Sequence, residues 1–329
     1  MTDVSLLGSL VAMGLFPKIV VTAQAFSRDT WLRRHLEERF PNASFNERET
    51  AHTVETLKAA LKEADGAIVG RDQINDTILA ACKRLQIVAK YGVGLDHIDQ
   101  DACRRHSVQL GWTPGVNRLS VAEQTVGFML ALCRNLFRSS LYLRDGKWRK
   151  NGGEQLSGQT IGIIGVGNIG KEVVRLLEPY ACRILVNDIV DQSDYYVQYG
   201  LIETSKEQLF AESEIVTLHT PLDESTQNLI NQTTLGMMKE TAFLINTSRG
   251  GVVDEQELKE ALINGVIAGA GLDVFEKEPP TDEELLRLPN VICTPHIGGN
   301  SAEAVHAMGL AAIEHLERHF AAWVPAEQP

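Results

Sequence analysis

The chain has 329 residues, with 31 Lys and Arg against 43 Asp and Glu for a formal charge of −12, and is 44% hydrophobic and 22% charged. That is a globular composition, and at about 100–200 residues per domain the length predicts two domains, each able to bury its own core. The negative charge repels phosphate backbones and anionic lipid, and no run of Lys or Arg makes a local exception, so neither nucleic acid nor a membrane is an expected partner. Cys82, Cys103, Cys133, Cys182 and Cys293 form an odd set without a C-x-x-C pair, which argues against a disulfide framework or zinc knuckle and for a reducing cytoplasm.

Residues 6–16 are apolar, but Asp3 stands where a leader needs basic residues, and the stretch is too short to span a bilayer. An extension ahead of the first strand is expected there. Residues 18–23 read as a buried strand and 30–40 as a helix stopped by Pro41-Asn42. Helix patterns at 54–64 and 74–82 each lead into a strand, at 66–70 and 85–90. Such alternation is the mark of a mostly parallel sheet with helices on its faces. Turn residues cluster at 113–117, and a single helix is expected over about 120–144, followed by a polar loop over 145–158. A second alternating series then starts. Strands are expected at 160–164, 183–187, 215–219, 242–246, 268–273 and 291–294, with a helix at 167–177. Their short Val, Ile and Leu runs suit strands covered on both faces. The last helix, about 302–323, has no place in the second series and is assigned back to the first domain. The expected fold is therefore α/β, with two doubly wound parallel-sheet domains.

The strand at 160–164 runs directly into Gly165-Val166-Gly167-Asn168-Ile169-Gly170, which opens a helix. This context is what a dinucleotide fingerprint demands: a tight turn, close approach to a pyrophosphate, and tight helix packing from the three glycines. The helix N-terminus adds free N–H groups and a positive dipole end. Asp188 lies eighteen residues past Gly170, at a strand end, where its carboxylate can accept from both ribose hydroxyls. No Arg or Lys follows in Ile189-Val190-Asp191 to receive a 2′-phosphate, so NAD is the expected cofactor. Later strands deliver His219-Thr220-Pro221, Asn246-Thr247-Ser248-Arg249, Asp273 with Glu278, and Pro295-His296-Ile297-Gly298 to the same sheet edge. Hydride transfer needs a proton carrier, a group that orients it, and a cation for the polarised oxygen or carboxylate. His296, Glu278 and Arg249 fit those three roles.

These segments resemble the D-isomer-specific 2-hydroxyacid dehydrogenases, most closely the 3-phosphoglycerate dehydrogenase branch without its C-terminal regulatory domain. The likeness runs over about 68–299 through Lys90-Tyr91-Gly92-Val93-Gly94-Leu95-Asp96, Asn117 with Ser120-Val121-Ala122-Glu123, the glycine fingerprint, residues 246–250, residues 272–279 and residues 294–298. The resemblance implies a Rossmann NAD-binding domain (114–297) inserted in a flavodoxin-like substrate-binding domain (1–113 and 298–329). It implies Arg249, Glu278 and His296 as the catalytic set, with cofactor contacts extending to Thr226, Thr247, Ser248, Asp273 and Gly298. Backbone N–H groups of Gly92, Val93 and Gly94 would meet the substrate carboxylate, alongside Arg249 and His296, and Arg71 would meet a substrate phosphate. A homodimer through residues 120–150 is implied as well.

The expected reaction interconverts a small D-2-hydroxyacid and its 2-ketoacid, with 3-phosphoglycerate the first substrate to test. Asp72-Gln73 and Arg118-Leu119 depart from that branch, so a glyoxylate or hydroxypyruvate reductase on the same scaffold is the alternative. An NAD(H)-sensing, corepressor-like binding protein is a more distant one. No metal is expected: His315 and His319 stand four apart on the last helix without a third ligand.

Overall fold

The computed structural model describes residues 16–48 and 50–323. The expected N-terminal extension therefore lies outside the described residues, apart from Phe16. Packing divides the chain into two units: the residues up to Asn117 together with those from Ala302 onward, and Arg118–Ser301. The sequence reading put these divisions after residues 113 and 297.

The first unit holds a sheet of β1 (Ile19–Val21), β2 (Ala43–Phe45), β3 (Gly66–Val69), β4 (Ile87–Lys90) and β5 (Gln109–Gly111) in the order β2-β1-β3-β4-β5, all parallel. Successive side chains of a strand point to opposite faces, and this sheet buries both. Ile19, Val21, Ile68 and Ile87 pack under Leu32, Leu36, Ile313 and Leu316. Val20, Ala67, Val69 and Val88 pack under Leu57, Leu61, Ile78 and Leu79 on the other side. The helix Ala302–His319 lies on the first of these faces so closely that a Cβ on Gly111 would come within 2.6 Å of the Cβ of His315. His315 and His319 do not converge: the first pairs with Thr113 at 2.9 Å and the second with Gln109 at 2.8 Å. No group of three or more His, Cys, Asp or Glu among the described residues could hold a metal.

The second unit holds β6 (Thr160–Ile164), β7 (Arg183–Asn187), β8 (Ile202–Glu203), β9 (Ile215–Leu218), β10 (Phe243–Asn246), β11 (Gly269–Leu272) and β12 (Val291–Cys293). Their order is β12-β11-β10-β9-β6-β7-β8, again all parallel. The strand order reverses between β6 and β9, which is where open α/β sheets keep their ligands.

The single helix expected over 120–144 is two, Arg118–Cys133 and Leu136–Arg144. Its apolar spacing continues across the join, but Asn135 takes a left-handed φ of 50°, a conformation asparagine tolerates better than most residues. The Cys133 carbonyl, freed from the helix, accepts from the Glu154 backbone at 2.8 Å.

Candidate active site

Three consequences of the β6 turn shape the crevice at the reversal point. Gly165 has a φ of 91°, and a Cβ there would sit 2.6 Å from the His219 carbonyl oxygen. A Cβ on Gly170 would sit 2.2 Å from the Gly165 carbonyl oxygen, so the helix Asn168–Leu177 can pack onto the turn only without a side chain at that point. At Gly167, immediately before that helix, an added Cβ would meet nothing within 4 Å, so the backbone is open to a phosphate.

Asp188 follows β7 and is tied to the same turn. One carboxylate oxygen accepts from the Val166 backbone at 2.6 Å and from Gln192 Nε2 at 3.3 Å, and the other from the Val190 backbone at 2.9 Å. The carboxylate expected to meet the ribose thus also fixes the glycine turn, and Gln192 closes the link by donating to the Val166 carbonyl at 3.1 Å. Neither Val166 nor Gln192 was singled out from the sequence, where nothing marks a main-chain amide or a lone glutamine as a tether. Ile189, 87% exposed, and Val190 follow Asp188 in the chain with apolar side chains.

After β9, His219 Nδ1 and Thr220 Oγ1 are buried polar atoms without a hydrogen-bond partner, while His219 Nε2 lies 3.0 Å from Thr217 Oγ1. Burial pulls the His219 imidazole down to about 3, so it is neutral at working pH. A glycine cradle, an open helix start, a ribose-height carboxylate and two unsatisfied polar atoms fit a dinucleotide.

The three residues expected to carry the chemistry follow the adjacent strands β10, β11 and β12. His296, after β12, places Nδ1 2.9 Å from both Glu278 carboxylate oxygens. Its side chain is 41% exposed against 15% for Glu278. The acid is therefore the covered partner, and with Nδ1 turned toward it, Nε2 is the nitrogen that can reach a substrate oxygen. Arg249, after β10, donates from Nη1 to the Ser248 carbonyl at 2.7 Å, and its own carbonyl accepts from Asn246 Nδ2 at 2.8 Å. Gly250 brings this turn against the next one, since a Cβ there would fall 1.9 Å from the Phe275 carbonyl carbon. The guanidinium-bearing segment and the segment carrying Glu278 are thereby packed backbone to backbone. Glu255 accepts from the Glu276 backbone amide, and its carboxyl is pushed up chiefly by burial, with Glu276, Asp282 and Glu278 adding to the shift.

Other residues expected at the cofactor engage the protein itself. Thr226 Oγ1 donates to the Pro221 carbonyl at 2.7 Å, Thr247 pairs with Thr125 at 2.9 Å, and Ser248 Oγ donates to Asn246 at 2.8 Å. Asp273, 1% exposed, accepts at both oxygens from the backbone amides of Ile297 and Gly298, each at 2.8 Å. In the first unit, Arg71 follows β3, and Gly92, Val93 and Gly94 follow the adjacent β4. Gly92 has a φ of 120°, the Val93 carbonyl accepts from Trp112 Nε1 at 2.9 Å, and the buried Lys90 donates to the Gly70 carbonyl.

The family model described as "D-isomer specific 2-hydroxyacid dehydrogenase, NAD binding domain" matches residues 126–298. The chain belongs to that family. It is an NAD-dependent oxidoreductase whose second unit carries the NAD-binding domain. Among its relatives, the hydroxypyruvate reductase of Thermotoga maritima is 40% identical, covering 79% of this chain and 86% of that one. The glyoxylate reductase of Korarchaeum cryptofilum is 35% identical over 91% and 92%. The rat D-3-phosphoglycerate dehydrogenase is 36% identical over 78% of this chain, which spans only 48% of that longer protein. A solved D-lactate dehydrogenase from Aquifex aeolicus, complexed with NAD and lactic acid, superimposes with a TM-score of 0.80 at 27% identity, covering 93% of this chain and 96% of that one. No helix among the described residues is long and apolar enough to cross a membrane.

Proposed function

We propose that the enzyme reduces a small unphosphorylated 2-ketoacid, of the hydroxypyruvate or glyoxylate kind, to the D-2-hydroxyacid, and that Arg249, Glu278 and His296 carry the reaction. The observation that supports this most is the His296–Glu278 pair, bidentate at 2.9 Å and set at the same sheet edge as the glycine turn. The bound nicotinamide supplies the hydride. His296 gives its Nε2 proton to the substrate's carbonyl oxygen in reduction and takes it back in oxidation. Glu278 orients the ring by holding Nδ1 at 2.9 Å from both carboxylate oxygens. Arg249 binds the carboxylate through its planar guanidinium and stabilises charge on the reacting oxygen. The cofactor residues are Gly165, Gly167, Asn168, Ile169, Gly170, Asp188, His219 and Thr220, and the substrate contacts expected of Gly92, Val93 and Gly94 belong to the same proposal.

The substrate class rests on two supports. The chain spans 86% of the hydroxypyruvate reductase and 92% of the glyoxylate reductase, against 48% of the rat D-3-phosphoglycerate dehydrogenase, and Asp72 follows Arg71 directly in the sequence. Asp72 is fixed there by Thr22 Oγ1, which donates to it at 2.6 Å. An acidic residue next in sequence to Arg71 makes this segment less favourable to a second, phosphate anion. Arg71 itself favours 3-phosphoglycerate, the second reading. Steady-state rates with hydroxypyruvate, glyoxylate and 3-phosphoglycerate, followed by NADH absorbance, separate the two. A kcat/KM for 3-phosphoglycerate above those of both ketoacids would reverse the assignment, and no turnover of any of them would defeat it.

The enzyme is further proposed to be a cytoplasmic homodimer joined through residues 120–150. Leu136, Phe137, Leu143 and Trp148 expose apolar surface in that segment, as subunit interfaces require. Light scattering at micromolar concentration tests it, and a monomeric mass would refute it.

A further inference from the structure

His296 is unusual in its backbone. Its φ is 54°, in the left-handed region that disfavours residues other than glycine. Something must hold it there, and the contacts converge on Asp273. The His296 amide donates to the Asp273 carbonyl at 2.8 Å, the Ile297 amide to one side-chain oxygen at 2.8 Å, and the Gly298 amide to the other at 2.8 Å. Successive amides turned inward by a left-handed residue form an anion nest, and here the anion is the chain's own buried carboxylate. The fit is close: a Cβ on Gly298 would lie 2.9 Å from that carboxylate.

The carboxylate has one further donor. Thr294 Oγ1 gives its hydrogen to Asp273 Oδ1 at 2.5 Å, so its oxygen is free to accept, and it accepts from Gln124 Nε2 at 2.8 Å. Gln124 sits on the helix Arg118–Cys133, one turn after Ser120, whose hydroxyl donates to the Gly298 carbonyl at 2.6 Å. The helix thus grips the His296 turn at both ends, through Gln124 and Thr294 before it and through Ser120 after it. A chain of donors ending on a buried carboxylate is mutually polarising, and each member strengthens the next.

We propose that Thr294 and Gln124 are positioning residues that act through Asp273 to hold the left-handed turn of His296 in register for its acid–base step. This rests on the function proposed above. Neither residue touches the imidazole, and Glu278 orients the ring while this relay fixes the backbone that carries it. The expected signature is a loss in kcat with little change in KM, because binding of the ketoacid by Arg249 does not pass through the relay.

The test uses the full-length enzyme with Thr294→Val, Thr294→Ser and Gln124→Leu. The valine variant keeps the shape and loses the hydroxyl. It should lose roughly tenfold in kcat, the effect of one hydrogen bond to a charged group, with KM for the ketoacid and NADH affinity within about twofold. Amide hydrogen exchange at Ile297 and Gly298 should accelerate by a similar factor. Thr294→Ser, which restores the hydroxyl, should return both readouts toward wild type, and Gln124→Leu should show a smaller loss of the same kind. Wild-type kcat and wild-type exchange in Thr294→Val would overturn the relay, as would a serine variant no better than the valine one. His296→Asn, assayed beside them, separates the two failures: if it retains turnover, the catalytic assignment falls, whereas exchange at 297–298 still decides the relay. If Thr294→Val fails to fold, Gln124→Leu with the exchange readout decides alone.

Discussion

A histidine whose ring nitrogen is buried without a partner resists protonation and makes the fold sensitive to acid, and His219 offers a quantitative case. Burial holds its titration at about 3 against an ordinary 6.5, and its Nδ1 has no partner that a proton would gain. The unfolded chain therefore binds a proton that the folded chain refuses. Because the folded value is the depressed one, this contribution to stability is fully present above pH 6.5 and is lost progressively as pH falls toward about 3. At pH 5.5 the unfolded imidazole is about nine-tenths protonated and the folded one almost entirely neutral, so the loss relative to high pH is about 1.4 kcal/mol. At pH 7.5 it is under about 0.1 kcal/mol. His219→Gln removes the titrating group and keeps a neutral polar side chain. Exchange protection of the β9 amides, which report opening of the second unit, should be measured for both proteins at pH 7.5 and 5.5. Whatever fixed cost the substitution carries cancels between the two pH values. The wild type should lose about 1.3 kcal/mol more than the variant on acidification. A difference that stays flat across that interval would refute the claim that His219 is held neutral by burial.

Three other outcomes follow from the site. Gly170→Ala should raise the dissociation constant for NADH by at least about tenfold in a fluorescence titration, because its Cβ would lie 2.2 Å from the Gly165 carbonyl oxygen and one of the two must move; an unchanged affinity would show that the turn yields without harm. His296→Asn should lower kcat by roughly 10²–10⁴ with NADH binding kept, and a loss below about fivefold would remove His296 from proton transfer. Asp188→Asn should narrow the preference for NADH over NADPH by roughly tenfold, since it removes the like charge facing a 2′-phosphate; the ratio of kcat/KM values checks this, and a wider preference would contradict it.

The parallel architecture was legible because covered strands read as short Val, Ile and Leu runs, and β6 and β7 span the very residues expected. Exposed edges were not: β8 (Ile202–Glu203) is short and solvent-facing, so it carries no hydrophobic period. The break at Asn135 was hidden for the opposite reason, an apolar spacing that runs on although the backbone turns left-handed. Arg249, Glu278 and His296 stand out as candidates in the sequence because each follows a strand at one edge of a parallel sheet, and the structure brings His296 and Glu278 together at 2.9 Å. Asp273 is expected at the cofactor, and in the structure it binds the amides of Ile297 and Gly298.

What the sequence determined alone is therefore the set of residue types at strand ends: glycines where a backbone must approach, and a carboxylate, a guanidinium and an imidazole following three adjacent strands. These are local properties, written in the order of residues along the chain. Only tertiary structure decided how they are held, because Gln124, Thr294 and Asp273 are separated by up to 170 residues and meet through hydrogen bonds of a few ångströms. Hydrophobic periodicity reports which face of an element is covered, but it carries no record of which polar atom a distant amide will find.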